Sequence, residues 1–296
     1  MDLKVYIQLV LLCALNVVFT CTGVFFNLLV IVSFWRSSAY LRSKLYYFMI
    51  MVLSFFDVLV VTTSHPLLVI RLVWWLNEMN DPPIPAVAEY LSNVFAAFSI
   101  MALLVMSAER YLGAYYPFFH RTSLTRRRLL TLLALLFLVP IVLTIISAKD
   151  LVISFAGNLI ILSVIVFPPF VFFNYKLFMI SREVRRDIAR RRSNTSTPET
   201  ANLRDNLKTI STCLLAVACL FLVYIPVFIF IAFTFSGFKL AENTNFKVAI
   251  FWTRTAANGN STLNCLVFFW RNDALRKEGK KVVRALKDRL KFTSNA

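Results

Sequence analysis

A chain of 296 residues that is 59% hydrophobic and 15% aromatic, with a mean hydropathy of +0.71, carries more apolar surface than a soluble globular domain does. It reads as an integral membrane protein, so its net charge of +17 signals topology and attraction to anionic lipid rather than nucleic-acid binding. Cys13, Cys21, Cys213, Cys219 and Cys265 all fall inside apolar stretches, which leaves no cysteine to staple an outer loop.

In chain order, seven stretches reach the roughly 20 mostly apolar residues that a transmembrane helix needs. They are residues 5–34, 45–76, 87–112, 129–148, 151–179, 212–235 and 248–270. Only the turn around Lys149 and Asp150 separates the fourth from the fifth. The first run is too long for the apolar region of a signal peptide and lacks its short charged start, so no cleavable leader is expected. The expected fold is all-α: a seven-transmembrane helix bundle over residues 1–270, with an inner polar loop at about 181–208, and a cytoplasmic tail over 271–296. In that tail Val283, Leu286 and Leu290 recur at helical spacing among basic residues, the pattern of an amphipathic helix on a lipid surface. Gly279 weakens the middle of that helix.

The loops set the orientation. All but six of the 32 basic residues lie at one end of the bundle or in the tail, the six being Lys4, Arg71, Lys149, Lys239, Lys247 and Arg254. The basic end is cytoplasmic by the positive-inside rule, with the N-terminus outside and the C-terminus inside.

Signatures of catalysis are missing: no Cys-x-x-Cys pair, no His-Glu-x-x-His and no Gly-rich phosphate loop, with His65 and His120 far apart in the sequence. The informative residues are polar groups inside spans, where a charge at mid-bilayer costs about 3 kcal/mol on insertion scales. Asp57 stands in the middle of the second span, Asn27 in the first, and "NGNSTLNCLVFFWRN" in the seventh holds Asn260, Ser261 and Asn264. Such groups either hold helices together by hydrogen bonds or serve a function. At the end of the third span, "ERYLGAYYPFFHR" sets Glu109 beside Arg110 and Tyr111, which marks either an exit from the membrane or a switch.

Taken together these residues resemble the rhodopsin-like (class A) G-protein-coupled receptors. The resemblance runs from Asn27 and "LSFFD" through "ERYLGAYYPF" to Pro226 in "VYIP" and "NSTLNCLVF", five motifs in the family's order. It implies a plasma-membrane receptor, not an enzyme, that takes an extracellular ligand and activates a heterotrimeric G protein. In that family Glu109 pairs with Arg110 at rest and releases it on activation, a role suited to a guanidinium that stays charged as its partners change. The resemblance also assigns Pro117 and Phe118 to the loop that contacts the G protein. Tyr175, Tyr224, Pro226, Asn264 and Phe268 fall in the activation machinery. Asp57, Ser99, Asn260, Ser261 and Asn264 fall where the family holds an allosteric sodium ion, the one cofactor-like group to expect.

The chain departs from the family pattern in several places. The helix-three cysteine position falls near Pro85, Cys265 replaces a proline, Phe268 a tyrosine, and Tyr224 the toggle tryptophan. Ser92 stands where amine receptors carry an aspartate, so a biogenic amine is not expected. Around the outer cavity the resemblance gathers Arg71, Glu89, Ser92, Trp252 and Arg254 as ligand-binding candidates. Arg254 either pairs with Glu89 or receives an acidic ligand. The rival classes are a seven-helix transporter, which would show internal repeats, and a ligand-gated channel, which would carry its basic loops on the opposite side.

Overall fold

A computed structural model of the chain describes residues 2–79, 84–146, 166–191, 198–235 and 244–294. The described residues are almost wholly helical. The helices are α1 (Leu3–Arg36), α2 (Ala39–Ser43), α3 (Leu45–Leu76), α4 (Ala86–Tyr115), α5 (Pro117–Ser123), α6 (Arg126–Ile146), α7 (Phe167–Arg191), α8 (Pro198–Phe235), α9 (Thr244–Arg271) and α10 (Asp273–Ser294). Helix is the required solution here, because in lipid every backbone N–H and C=O must find its partner within the segment.

Five of these helices are long and apolar enough by composition to cross a membrane: α1, α3, α4, α6 and the Leu203–Ile229 part of α8. With α7 and α9 they correspond to the seven stretches read from the sequence. The turn at Lys149 and Asp150 and the first part of 151–179 lie outside the described residues. The ends are set locally. Asp2 accepts a hydrogen bond from the Lys4 N–H at the start of α1, and Ser38 from the Leu41 N–H at the start of α2, each satisfying a donor that has no intrahelical acceptor. Just past α3, Glu78 takes a φ of 56°, the left-handed region in which a helix commonly closes.

Neighbouring helices touch in a closed circuit, α1 to α3 to α4 to α7 to α8 to α9 and back to α1, and α4 also meets α6 and α8. α4 is thus the central post. α1 comes close to two neighbours at Gly23, where a Cβ would stand 2.7 Å from Thr262 Oγ1 and 2.7 Å from Val61 Cγ1, a small-residue contact of the kind that lets membrane helices pack. The main apolar core fills the basic half of the bundle, with Met49, Ile50, Leu53, Met101, Met106 and Phe170 almost fully buried. A smaller cluster of Val5, Leu9, Leu12, Leu72 and Val248 closes the other end. Leu135, Ile145 and Leu222 are exposed, as side chains facing lipid are.

The tail helix forms as expected and also packs inward. α10 packs against α1, with Leu275 and Val282 buried, while Val283 is exposed. Gly279 explains the close approach: a Cβ there would lie 2.6 Å from Phe269 Cε2 and 3.3 Å from Ser33 Oγ. The residue read as a weak point is the contact point.

Candidate functional site: three polar sites along the bundle

The first site lies at the basic end. Glu109 and Arg110 occupy the penultimate turn of α4, and adjacency within one helix lets the guanidinium turn back on the carboxylate in a two-pronged ion pair. Glu109 is 1% exposed, so its charge needs partners, and it has a second one. The chain leaves α4 at Tyr116 and starts α5 with Pro117 in the first turn, where the missing N–H costs nothing. That turn swings His120 back until its Nε2 lies 2.7 Å from Glu109 Oε1. Arg110 in turn stacks over the Tyr46 ring of α3, 4.7 Å from its centroid. His120 and Tyr46 escaped the sequence reading, since only the fold brings residues 11 apart in α4 and α5, and a different helix, onto one ion pair.

Arg110 opens onto a cavity of about 1180 Å³ between α3, α4, α5, α8, α9 and α10. Lys208 of α8 spans its edge to ion-pair with Asp273 at the start of α10, and Asp273 also holds Arg276. The Lys208 hydrogen bond keeps the Asp273 carboxyl below the ordinary carboxylate range, helped by the nearby charges of Lys208, Arg276 and Lys277. Tyr111 is nearly buried against Phe172 and Phe173, whereas Phe118 is 81% exposed at the rim. One expected residue is not there. Tyr175 is 59% exposed and faces away from the bundle, because the inward stripe of α7 runs through Phe170, Asn174, Leu177 and Ser181, all buried at helical spacing. Asn174 takes the inward place, donating to the Phe170 carbonyl at 2.8 Å with its Oδ1 unpartnered. Phe268 is fully buried, and Pro226 sits inside α8 with Tyr224 one half-turn before it.

The second site is at mid-bundle. Asp57 is fully buried and accepts hydrogen bonds from Ser99 Oγ at 2.5 Å, from Asn264 Nδ2 at 3.4 Å and from Ser261. Four of the five residues grouped by sequence therefore meet at one carboxylate, contributed by α3, α4 and α9. Asn260 is buried one residue away, and the Oδ1 atoms of Asn260 and Asn264 have no hydrogen-bond partner. Asn27 ties the cluster to α1 by donating to the Gly23 and Ser261 carbonyls. A second buried network, which sequence reasoning missed, joins α1, α3 and α9: Asn16 donates to Thr255 Oγ1 at 2.9 Å, and its Oδ1 lies 2.6 Å from His65 Nδ1.

The third site is a cavity of about 80 Å³ at the end away from the basic loops, lined by Arg71, Glu89, Ser92, Asn93, Tyr224 and Arg254 among others. Glu89 is ion-paired to Arg71 across α3 and α4, and Arg254 lines the same cavity. Ser92 shares a 2.6 Å hydrogen bond with Ser64. A correction applies to Trp252, which turns toward α1 and donates to Gln8 Oε1 at 3.3 Å, lining neither this cavity nor its neighbour.

Comparison with known families bears on all three sites at once. The model of the family described as 7 transmembrane receptor (rhodopsin family) matches residues 26–268, the span that contains these side chains except the tail contacts, Gln8 and Asn16. No curated protein matches the chain.

Proposed function

The chain belongs to the rhodopsin family of seven-transmembrane receptors, and from that premise we propose that it is a plasma-membrane receptor, N-terminus outside, that binds an acidic extracellular ligand and activates a heterotrimeric G protein. The observation that carries the coupling half is Arg110: partly buried, held by Glu109 and Tyr46, and lining a large cavity on the basic side. A pair of that kind has two stable arrangements for the guanidinium, on Glu109 or on an incoming partner, and helix movement chooses between them. Exposed Phe118 supplies an apolar anchor beside the cavity. The ligand half rests on Arg71 and Arg254 in the opposite cavity, both strong partners for a carboxylate. The bilayer is the remaining partner, met by the exposed apolar faces and the basic loops.

A sodium ion fits the middle site. Asp57 supplies the compensating charge, Ser99 and Ser261 supply hydroxyl oxygens, and the unpartnered Oδ1 atoms of Asn260 and Asn264 are free acceptors of the hard type such a cation prefers. When bound, the ion would neutralise the carboxylate and favour the closed bundle.

The deciding experiment reconstitutes the receptor in lipid discs with purified heterotrimeric G proteins and measures nucleotide exchange, with ion flux measured on the same protein in vesicles. Exchange above a protein-free control, without flux, is the expected result. Flux without exchange would favour the channel or transporter reading.

A further inference from the structure

The cavity at Arg71 and Arg254 has a second chamber. A neighbouring cavity of about 260 Å³ is lined by Trp74, Trp75, Met79, Ile250, Phe251 and Lys247, and it shares both Arg71 and Arg254 with the 80 Å³ chamber. The two arginines therefore stand at the passage between a small inner chamber and a larger aromatic one. The chambers differ in chemistry. The inner one is polar: the Ser64 and Ser92 hydroxyls bond each other, Thr253 and Asn258 line it, and Asn93 places a buried Nδ2 there with no hydrogen-bond acceptor. A buried donor left unmade is costly, so that site favours a ligand that brings an acceptor. The outer one offers ring faces. Among the described residues that line the two chambers, Arg71, Lys247 and Arg254 carry positive charge against the single carboxylate of Glu89.

From this arrangement we infer that the ligand is a small aromatic monocarboxylic acid that enters head first, its carboxylate in the inner chamber against Asn93 and Arg254, its ring in the outer chamber among Trp74, Trp75 and Phe251. Size supports the polarity of entry. The inner 80 Å³ is about half the roughly 150 Å³ of a cavity that admits benzene, enough for a carboxylate and not for a ring. Both chambers together fall near the lower end of the roughly 300–1,000 Å³ typical of ligand pockets, the size of a small ligand. The inference rests on reading this end as the ligand site and adds the class of ligand.

The test is binding to the full-length receptor in lipid discs without any G protein, read as the shift of the thermal unfolding midpoint across a concentration series. The probes are indole-3-butyrate, its uncharged primary amide and inorganic phosphate. The acid should stabilise the receptor, and the amide and phosphate should not. Arg254→Gln and Asn93→Leu should each weaken the acid on the order of 10- to 100-fold, the loss expected for a charge-assisted hydrogen bond. Arg254→Lys, which keeps the charge, should retain part of the affinity and covers the case in which the Gln variant does not fold. Equal stabilisation by the amide, equal stabilisation by phosphate, undiminished acid binding in Arg254→Gln, or no shift with the acid at millimolar concentration would each overturn the inference. Failure of exchange with acid binding intact would sink the coupling reading alone.

Discussion

At the scale of single residues, the motif at the end of α4 shows both the reach and the limit of sequence. Glu109 and Arg110 were legible because adjacency in the chain guarantees adjacency in space. The partners that make the pair a three-dimensional device were not: His120 arrives through a proline turn and Tyr46 from another helix. The orientation of Tyr175 was hidden for a related reason, since a one-residue step turns a helix by about 100° and only the packed stripe through Asn174 fixes which side chain faces inward. Two consequences can be measured. Arg110→Ala should abolish stimulated nucleotide exchange while surface expression stays near that of the unmodified receptor, because Arg110 opens onto a cavity rather than filling the core. Exchange unchanged in that variant would remove Arg110 from the coupling face. His120→Ala should behave differently. It removes one partner of Glu109 and leaves the Arg110 pair in place, so basal exchange should change while coupling survives.

At the scale of elements, the spans could be read directly, because apolar length alone demands helix in lipid. The contacts that follow a chain reversal could not, and α10 is the case in point. Val283 was read onto its apolar face, yet Val282 is the buried neighbour on the side that meets α1, in line with Leu275 and Gly279; the side chains of Leu286 and Leu290 lie outside the described residues. Gly279 sets two effects against each other. Gly279→Ala should favour helix by up to about 1 kcal/mol, but a Cβ 2.6 Å from Phe269 overpacks the contact, at a cost of about 1–3 kcal/mol. Overpacking wins on these magnitudes, so hydrogen exchange over residues 273–294 should speed up, and Phe269→Ala should reverse the effect. No change in exchange would mean that α10 is not held by this contact. The Lys208–Asp273 pair links α8 to α10 and is roughly half exposed on both sides, so it is worth about 0–1 kcal/mol. Either charge reversal alone should therefore raise basal nucleotide exchange by no more than about fivefold, and the exchanged pair, Lys208→Asp with Asp273→Lys, should bring it back. Since Asp273 titrates below its ordinary range, the pair is intact above that range and is lost as pH falls through the lowered value.

At the scale of the whole molecule, the buried polar groups form a column, from the two-chamber cavity through Asp57 to Arg110, with α4 contributing to every level as Glu89, Ser99 and Glu109. The middle level was the most legible part of the site, because a lone carboxylate in an apolar span calls for compensation wherever it is found. The Asn16–His65–Thr255 network was the least, as uncharged polar residues in spans carry no such demand. The column gives the mid-bundle site a testable role. An ion held by Asp57, Ser99, Ser261, Asn260 and Asn264 bridges α3, α4 and α9, so it binds the closed arrangement of those helices better than any arrangement that separates them. A ligand shifts an equilibrium only through such a difference. Sodium raised at constant ionic strength, with a large organic cation as replacement, should therefore stabilise the ligand-free receptor, lower its basal nucleotide exchange and weaken agonist binding. Each tenfold excess over the dissociation constant adds about 1.4 kcal/mol, which for a chain of this size is a rise of roughly 3–6 °C in the unfolding midpoint. Asp57→Asn keeps the shape but removes the charge and turns one of the two oxygens that accept from Ser99 and Asn264 into a donor, and should erase all three sodium effects together. An unmodified receptor whose midpoint and basal exchange ignore sodium would leave Asp57 as a group satisfied by its protein hydrogen bonds alone, and the column as packing rather than a line of coupling.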